Sequence, residues 1–264
     1  MRSKFRNGNL IPVSIRNILY ETGEISQFTF RFFKEGILPP YEWGELFRQC
    51  YNVGNKSLPL VGITTFIIGL VLTLQSKPTL QLFGAEAWLP AMVGLSIVRE
   101  IGPMLTALIC AGKVGSGIGA ELGSMKVTEQ IDAMEVSGVN PFKYVVSTRI
   151  IACTLMIPVL AILGDIIALC GSYIAVNLHG TLTFRLFFNQ VFEHLAFGDI
   201  IPSIIKTYFF GFVIGLVGCY KGYFSNKGTQ GVGQSANTAV VVSSLLVFII
   251  DLIAVQVSKF FGLI

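Results

Sequence analysis

Five long apolar segments constrain the fold of this chain more than any other sequence feature. They cover approximately residues 58–75, 87–112, 150–176, 200–220 and 239–257. A helix of about 20 apolar residues is long enough to cross the hydrocarbon core of a bilayer. Only 13% of the residues are charged, so the chain has too few polar side chains to cover a water-soluble domain. The sequence therefore predicts an all-α integral membrane protein with five transmembrane helices.

The first 57 residues have a different pattern and form an N-terminal region ahead of the membrane domain, residues 58–264. Apolar residues recur here near helical spacing, with charged residues between them, and Gly23 interrupts the pattern. Such an amphipathic helix is suited to lie in the membrane interface. The apolar positions are Ile11, Ile15, Ile18, Leu19, Ile25, Phe28, Phe32 and Phe33.

The distribution of lysine and arginine predicts the orientation of the chain. The connections on one side of the membrane carry Lys113, Lys126, Lys143, Arg149, Lys221 and Lys227. The opposite side carries only Lys77, Arg185 and Lys259. Because basic residues are enriched in cytoplasmic connections, the N-terminal region and the loop 113–149 are predicted to be cytoplasmic and the C-terminus periplasmic.

The cytoplasmic loop contains the segment T-E-Q-I-D-A-M-E-V, residues 128–136. The segment predicts a short helix, with Thr128 as its N-cap and Asn140-Pro141 marking its end. Its few apolar positions and its acidic flank are suited to contact another protein. A solvated surface loop is the alternative that the spacing leaves open.

Charged residues inside the spans are costly in hydrocarbon and usually face a partner or a cavity. The spans contain Arg99, Glu100, Asp165, Lys206 and Asp251. Lys206 and Asp251 lie at similar depth from the outer ends of their helices, which predicts a buried ion pair. Adjacent helical residues point about 100° apart, so one neighbouring face is not expected to satisfy both Arg99 and Glu100, which favours a functional role. The alternative is that all these charges pair to fix helix packing.

The glycine-rich run A-G-K-V-G-S-G-I-G-A-E-L-G, residues 111–123, does not match a nucleotide-binding loop. The first glycine and the final Ser or Thr of the motif G-x-x-x-x-G-K-[ST] are missing here. Gly115, Gly119 and Gly123 instead recur at every fourth residue, a pattern that lets helix backbones approach closely. The run therefore predicts helix packing, and the sequence contains no visible ATPase machinery.

The remaining composition argues against several other classes of protein. The five cysteines form no C-x-x-C pair, and His179 and His194 lack metal-ligand spacing, so no metal site is predicted. The basic residues are spread singly, which argues against nucleic-acid binding. An intramembrane enzyme is disfavoured because the spans contain no histidine and no G-x-S-x-G motif. An ATPase-independent lipid or ion carrier or channel remains the alternative function, although no internal repeat is visible.

Three contiguous motifs resemble the signature of the MlaE/YrbE permeases. They are V-R-E-I-G-P at 98–103, A-G-K-V-G-S-G-I-G-A-E-L-G-S-M at 111–125 and T-E-Q-I-D-A-M-E-V-S-G-V-N-P at 128–141. The resemblance implies a permease subunit of a Mla-type ABC transporter, which moves phospholipids between the inner and outer membranes. Such permeases have an interfacial N-terminal helix, five spans and a short coupling helix between spans two and three. They form a homodimer around an outward-opening lipid cavity.

The resemblance also implies a set of partners. A separate cytoplasmic ABC ATPase would use ATP, so this chain is expected to bind no cofactor and not to be an enzyme itself. An MCE-domain protein would form a conduit on the outer side, and a small STAS-domain subunit often binds the ATPase. The chain is expected as a multi-pass protein of the inner membrane.

Candidate site residues follow from their positions in the matching motifs. The helix that docks on the ATPase would comprise Glu129, Gln130, Ile131, Asp132, Ala133, Met134 and Glu135. The residues matching charged sites within the spans are Arg99, Glu100, Lys206 and Asp251. Apolar walls for lipid tails would come from Phe66, Ile67, Leu70, Val71 and Leu74 in the first span, for which the core of the bundle is the alternative.

Overall fold

The structure is a computed structural model that describes residues 13–36, 42–178, 182–226 and 228–262, with side chains from residue 22 onward. The described residues form ten α-helices and no β-strand. The helices are α1 Val13–Arg31, α2 Trp43–Leu82, α3 Leu89–Ser96, α4 Gly102–Cys110, α5 Ser116–Val127, α6 Gln130–Val136, α7 Thr148–Asn177, α8 Phe184–His194, α9 Phe197–Tyr223 and α10 Thr229–Phe260.

Five helical segments are long and apolar enough to cross a membrane, which confirms the predicted all-α membrane fold. The first, fourth and fifth are α2, α9 and α10. The second is the continuous stretch Glu86–Val127, which contains α3, α4 and α5, and the third is Phe142–Asn177, which contains α7. The helices extend beyond the apolar segments seen in the sequence. We call the end of the bundle that carries α6 the α6 side and the end that carries α8 the α8 side.

The second span contains two π-helical turns, Ile97–Ile101 and Ala111–Gly115, which join α3 to α4 and α4 to α5. Pro103 lies two residues after the first π turn and cannot donate a backbone hydrogen bond into that turn. Prolines and π turns are both common causes of local irregularity in long helices. The third span differs, because α7 continues through Pro158 without a break.

The N-terminal helix α1 continues through Gly23, so the interruption expected there is not present. Ile11 lies outside the described residues, and the side chains of Ile15, Ile18 and Leu19 are also outside them. Phe28 and Phe32 are buried in the protein. This end of α1 therefore packs onto the α6 side of the bundle as well as presenting an apolar face.

An aromatic cluster holds α1 in this position. The Phe28 ring lies 5.1 Å from the ring of Phe142 and 5.6 Å from that of Tyr220, both edge to face. The Arg31 guanidinium lies 4.5 Å above the centre of the Phe142 ring, and the Tyr220 hydroxyl donates to Glu24 at 2.7 Å. Edge-to-face rings and a cation over an aromatic face each contribute of the order of 1 kcal/mol.

The seam between α2 and α7 follows a buried stripe that recurs at every fourth position of α2 and consists of small or β-branched residues between Val53 and Thr73. Gly69 lies against the carbonyl oxygen of Ala168, in the space that a Cβ at position 69 would occupy. The Ser172 hydroxyl donates to the Gly69 carbonyl at 3.1 Å, across the same contact. The buried positions of this face are Gln49, Val53, Ser57, Val61, Thr65, Gly69, Thr73 and Lys77.

We predict opposite effects of alanine at two helical glycines. Gly69→Ala places a methyl group against the Ala168 backbone and is expected to lower the free energy of unfolding by about 1–3 kcal/mol, as overpacking does. Gly117→Ala, in α5, meets no atom within 4 Å and is expected to raise stability by about 0.5–1 kcal/mol through helix propensity. Denaturant unfolding of both variants in the same detergent measures the difference. Equal effects at the two positions would contradict the close approach of α2 and α7.

Candidate functional site

Lys206 of α9 lies between two carboxylates inside the membrane-spanning bundle. Its Nζ is 2.9 Å from Asp251 on α10 and 2.8 Å from Glu100 on the first π turn. The Lys206 and Asp251 residues are 4% and 7% exposed. The pairing of Lys206 with Asp251, which their similar depth predicts, is present. Glu100 is a second partner of Lys206 that the sequence argument did not identify.

Arg99, the neighbour of Glu100, pairs with Asp199 at 2.7 Å. Asp199 lies in the first turn of α9, is 3% exposed, and also accepts a hydrogen bond from the Ala196 N–H at 2.9 Å. The argument that one neighbour cannot satisfy both Arg99 and Glu100 was therefore wrong. Their long side chains diverge to two positions of the same helix, Asp199 and Lys206, which are nearly two turns apart.

A serine on α9 compensates for the proline that follows the first π turn. The Ser203 hydroxyl donates to the carbonyl oxygen of Val98 at 2.7 Å. In a π-helical pattern the donor to this carbonyl would be the N–H of residue 103, and Pro103 has none. Ser203 lies between Asp199 and Lys206 on α9. This one helix therefore provides a donor for the Val98 carbonyl and an oppositely charged partner for each charged residue of the π turn.

The charge cluster, which we define as Arg99, Glu100, Asp199, Lys206 and Asp251, is open on one side. The side chains of Arg99 and Glu100 are 36% and 38% exposed, whereas those of the other three are buried. The cleft beside the cluster is also lined by Ala254, Val255 and Ser258, near the C-terminal end of α10. The cluster therefore consists of largely buried ion pairs, and the side chains of Arg99 and Glu100 form its accessible edge.

The helix α6 contains the sequence segment predicted to contact another protein. Ile131 is 1% exposed and belongs to the main hydrophobic core, and Met134 packs against that core. Val136 is 91% exposed at the C-terminal end of α6. Thr128 is not the N-cap that the sequence predicted, since its hydroxyl donates to the Ser124 carbonyl in the preceding helix. Glu129 occupies the N-cap position instead.

The three carboxylates of this segment differ in their surroundings. Asp132 pairs with Lys126 at 2.7 Å, whereas Glu129 and Glu135 form no ion pair within the described part of the chain. Glu129 has a left-handed backbone conformation, with φ of 59°, which turns the chain sharply between α5 and α6. After α6, the Asn140 carboxamide oxygen accepts the Phe142 N–H at 3.0 Å and caps the start of the third span. The acidic face of α6 thus stays accessible while both of its ends are fixed.

The three glycines of the small-residue pattern face small residues of α10. A Cβ at Gly119 would lie 3.3 Å from the Ser235 carbonyl and 3.4 Å from Ala239, and one at Gly123 would lie 3.0 Å from the Ser235 hydroxyl. The Ser235 hydroxyl donates to the Gly119 carbonyl at 3.2 Å. Gly115 lies one turn earlier, where a Cβ would be 3.6 Å from Ser243. The α5 end of the second span therefore approaches α10 closely.

The five apolar residues of the predicted lipid wall lie along one side of α2. Ile67, Val71 and Leu74 are 48%, 39% and 41% exposed, and Phe66 and Leu70 are half-buried. Ile67, Val71 and Leu74 therefore face the outside of the single chain, where lipid or a second copy can contact them. Phe66 borders the seam with α7 instead, since its ring lies 3.3 Å from the position that a Cβ at Gly171 would occupy.

A further ion pair fixes the α6 side of the bundle. Arg149, at the start of α7, is 3% exposed, and it donates to Glu121 of α5 at 2.8 Å and to the Val145 carbonyl at 2.8 Å. In the sequence, Arg149 stands out only as a basic residue of the predicted cytoplasmic loop. The sequence pattern does not reveal this pair, because Arg149 and Glu121 are 28 residues apart. Both residues also lie near span ends, where the apolar pattern does not indicate how deep a residue lies in the membrane.

A bundle of five helical segments that can cross a membrane, with ion pairs between the spans and a short helix between spans two and three, defines a multi-pass membrane protein. The family model described as "Permease MlaE" matches residues 46–257, which include α6 and most or all of every span. The chain belongs to this permease family, which is an ABC transporter permease family.

Curated relatives extend over most of the chain. A probable ABC transporter permease protein of Rickettsia typhi is 38% identical over 241 residues, which are 91% of this chain and 93% of the relative. A probable ABC transporter permease protein of Synechocystis is 36% identical and covers 76% of both chains. The chloroplastic protein TRIGALACTOSYLDIACYLGLYCEROL 1 of Arabidopsis thaliana is 30% identical over 83% of this chain and 62% of its own length.

We predict that the Lys206 ion pairs are energetically coupled and unequal. Lys206→Ala leaves Glu100 and Asp251 without their cation and is expected to cost about 3–5 kcal/mol of unfolding free energy. Asp251→Ala is expected to cost less, because Lys206 keeps Glu100. The double variant should therefore depart from the sum of the single variants in a double-mutant cycle measured by denaturant unfolding.

The exposed pair Lys126 and Asp132 provides the matched control for this cycle. Its variants Lys126→Ala and Asp132→Ala are expected to change stability by only about 0–1 kcal/mol. Additive effects of Lys206→Ala and Asp251→Ala would show that the buried pair is not coupled.

Proposed function

We propose that this chain is the membrane permease subunit of an ABC transporter that moves phospholipids between the inner and outer membranes. A separate cytoplasmic ATPase would drive the movement. The observation that carries the proposal is the family match over residues 46–257, which covers the membrane bundle together with α6, in a chain whose sequence has no nucleotide-binding loop. The name of the Arabidopsis relative, which is that of a galactolipid, supports a lipid substrate.

The structure of α6 supports its proposed role as the coupling helix. Its exposed acidic face is available to an ATPase, while Ile131 is anchored in the core. The helix lies directly between the second and third spans, and only short turns separate it from both. A displacement of α6 by an ATPase would therefore be transmitted to two spans at once. Residues 129–135 would form the contact, with Glu129 and Glu135 as the carboxylates that have no ion pair within the described chain.

The exposed apolar faces of the bundle support a lipid path between two copies of the chain. Ile67, Val71 and Leu74 on α2 are exposed, as are Leu245, Phe248 and Leu252 on α10. In a homodimer these faces would enclose a cavity for lipid tails, with Phe66 and Leu70 lining the same side. A lipid held in that cavity would bring its headgroup to the accessible edge of the charge cluster, where Arg99 and Glu100 can meet a zwitterionic or anionic group.

The remaining partners follow from the proposed orientation. With α6 and the N-terminus in the cytoplasm, α8 and the C-terminus face the periplasm, where an MCE-domain protein would receive lipid. A STAS-domain subunit would act on the ATPase. The charges within the spans would serve packing and headgroup contact, and the chain would require no cofactor of its own.

Purification of the tagged chain from its native membrane tests this proposal directly. We expect an ABC ATPase, an MCE-domain protein and phospholipid to co-purify, because each would occupy a surface of the permease. In reconstituted vesicles, replacement of the nucleotide-binding lysine of the ATPase should abolish lipid movement. Lipid or ion movement that persists with the inactive ATPase would support the alternative, an ATPase-independent carrier or channel.

Charge reversal on α6 is expected to uncouple the ATPase. Asp132→Lys combined with Glu135→Lys places positive charge on the exposed face and should reduce ATPase binding or separate ATP hydrolysis from lipid movement, with the bundle still folded. Pull-down of the ATPase and lipid-stimulated hydrolysis measure the effect. Glu193→Lys on α8, an exposed reversal at the other end of the bundle, is the control. If the α6 variant binds and transports like the control, α6 is not the coupling contact.

A further inference from the structure

Asp165 is a carboxylate inside the third span that the ion pairs of the bundle do not use. It lies in α7, and its Oδ1 is buried without a hydrogen-bond partner. Glu100, Asp199 and Asp251 each pair with a cation, whereas Asp165 forms no ion pair within the described part of the chain. A carboxylate in hydrocarbon without a compensating charge is strongly disfavoured in its ionised form.

The position of Asp165 is built by the contact between α4 and α7. Its Oδ1 occupies the space above Gly102 that a side chain at that position would fill. Gly102 is the first residue of α4 and follows directly the π turn that carries Arg99 and Glu100. Any residue larger than glycine at 102 would displace the carboxyl group, so the contact is specific to this pair of positions.

A second buried oxygen without a partner lies one helical turn away. The Thr106 hydroxyl, on α4, is buried and makes no hydrogen bond in the described structure. It faces the residue next to Asp165, since a Cβ at Gly164 would lie 3.1 Å from the Thr106 oxygen. Buried polar groups are normally hydrogen-bonded, so two unsatisfied oxygens at one helix contact point to an exchangeable ligand.

The charges around this contact favour a proton as that ligand. The elements packed against α7 at this level contribute Arg99 and Glu100 from the π turn and Lys206 from α9, whose charge acts on Asp165. Asp251 is connected to these charges through its ion pair with Lys206. The first span carries no charged residue between Lys56 and Lys77. The two cations, Arg99 and Lys206, already pair with the three carboxylates of the charge cluster. One of these three negative charges is therefore uncompensated, and an ionised Asp165 would add a second.

We propose that the Asp165 carboxyl group is an intramembrane proton-binding site at the contact of α4 and α7. Ca²⁺ and Mg²⁺ each take about six or more oxygen ligands, and only two unpartnered oxygens lie at this contact, so a proton fits the site better than a hard metal cation. An ionised carboxylate only accepts hydrogen bonds and needs donors around it, whereas a protonated carboxyl group can itself donate one. Protonation therefore changes the hydrogen-bond partners that the α4–α7 contact must provide. The proton thereby acts on α4, which directly follows the π turn that carries Arg99 and Glu100. This inference does not depend on the transported substrate.

Infrared difference spectroscopy between about pH 6 and alkaline pH, above the range in which exposed carboxyl groups titrate, tests the proposal on the full chain, purified in its native assembly and reconstituted into nanodiscs. The wild type is expected to show the C=O band of a protonated carboxylic acid that disappears as the pH rises. Asp165→Asn should lose this band, whereas Asp132→Asn, at an exposed carboxylate of α6, should keep it. A band that persists in Asp165→Asn, or no titrating band in the wild type, would overturn the proposal.

Two further measurements keep the result interpretable. Asp165→Glu retains the carboxyl group on a longer side chain and is expected to shift the band, so an unchanged band would overturn the assignment even if Asp165→Asn does not fold. Repeating the titration with sodium exchanged for a large organic cation separates the two ligands. A band that responds to sodium at constant pH would replace the proton by a metal cation. None of these measurements requires lipid movement or ATP hydrolysis, so their failure is distinct from failure of the proposed function.

Discussion

The cost of placing charge in a hydrocarbon environment governs the arrangement of this bundle. Lys206 reduces that cost by lying within 3 Å of two carboxylates, Glu100 and Asp251, which belong to two other spans. Arg99 and Asp199 form the second pair beside it. Because each ion must keep its partner, spans two, four and five are held in one register at this depth. Apolar side chains alone do not specify a register in lipid, since the lipid tails are equally apolar.

Close packing of small residues connects the part of the bundle that contains the charge cluster to the α6 side. From Glu100 to the end of α5 the second span is one continuous helical rod, and about 27 residues at 1.5 Å each give a length of roughly 40 Å. Along its last part, Gly119 and Gly123 bring the backbone against α10, and Gly222 of α9 closes on the same stretch. A helix held at such close approach is expected to move with its neighbours, so the proposed displacement of α6 would reach the ion pairs.

Parts of this arrangement could be predicted from the sequence because they depend on linear position. Depth along an apolar helix is a count of residues, and that count placed Lys206 opposite Asp251. Asp199 could not be found in this way, because it lies at the start of α9 where the sequence looks like a polar connection. The π turn depends on Pro103 together with a serine from a different helix, and no local pattern contains both. The glycine period of α5 predicted a close approach but not its partner, although α10 carries small residues at the same period from Gly231 to Ser243.

The first π turn connects the charge cluster to the part of the second span that follows it, so the two are expected to move together. Ser203 holds the Val98 carbonyl, while Asp199 and Lys206, on either side of it along α9, hold Arg99 and Glu100. Three contacts from one helix thus fix a turn that lacks its regular backbone bond at Pro103. A rotation of this turn would strain all three contacts together, because they share the same short segment. Packed contacts of this kind favour discrete positions of an element over a continuous range, and the second span is expected to follow that rule.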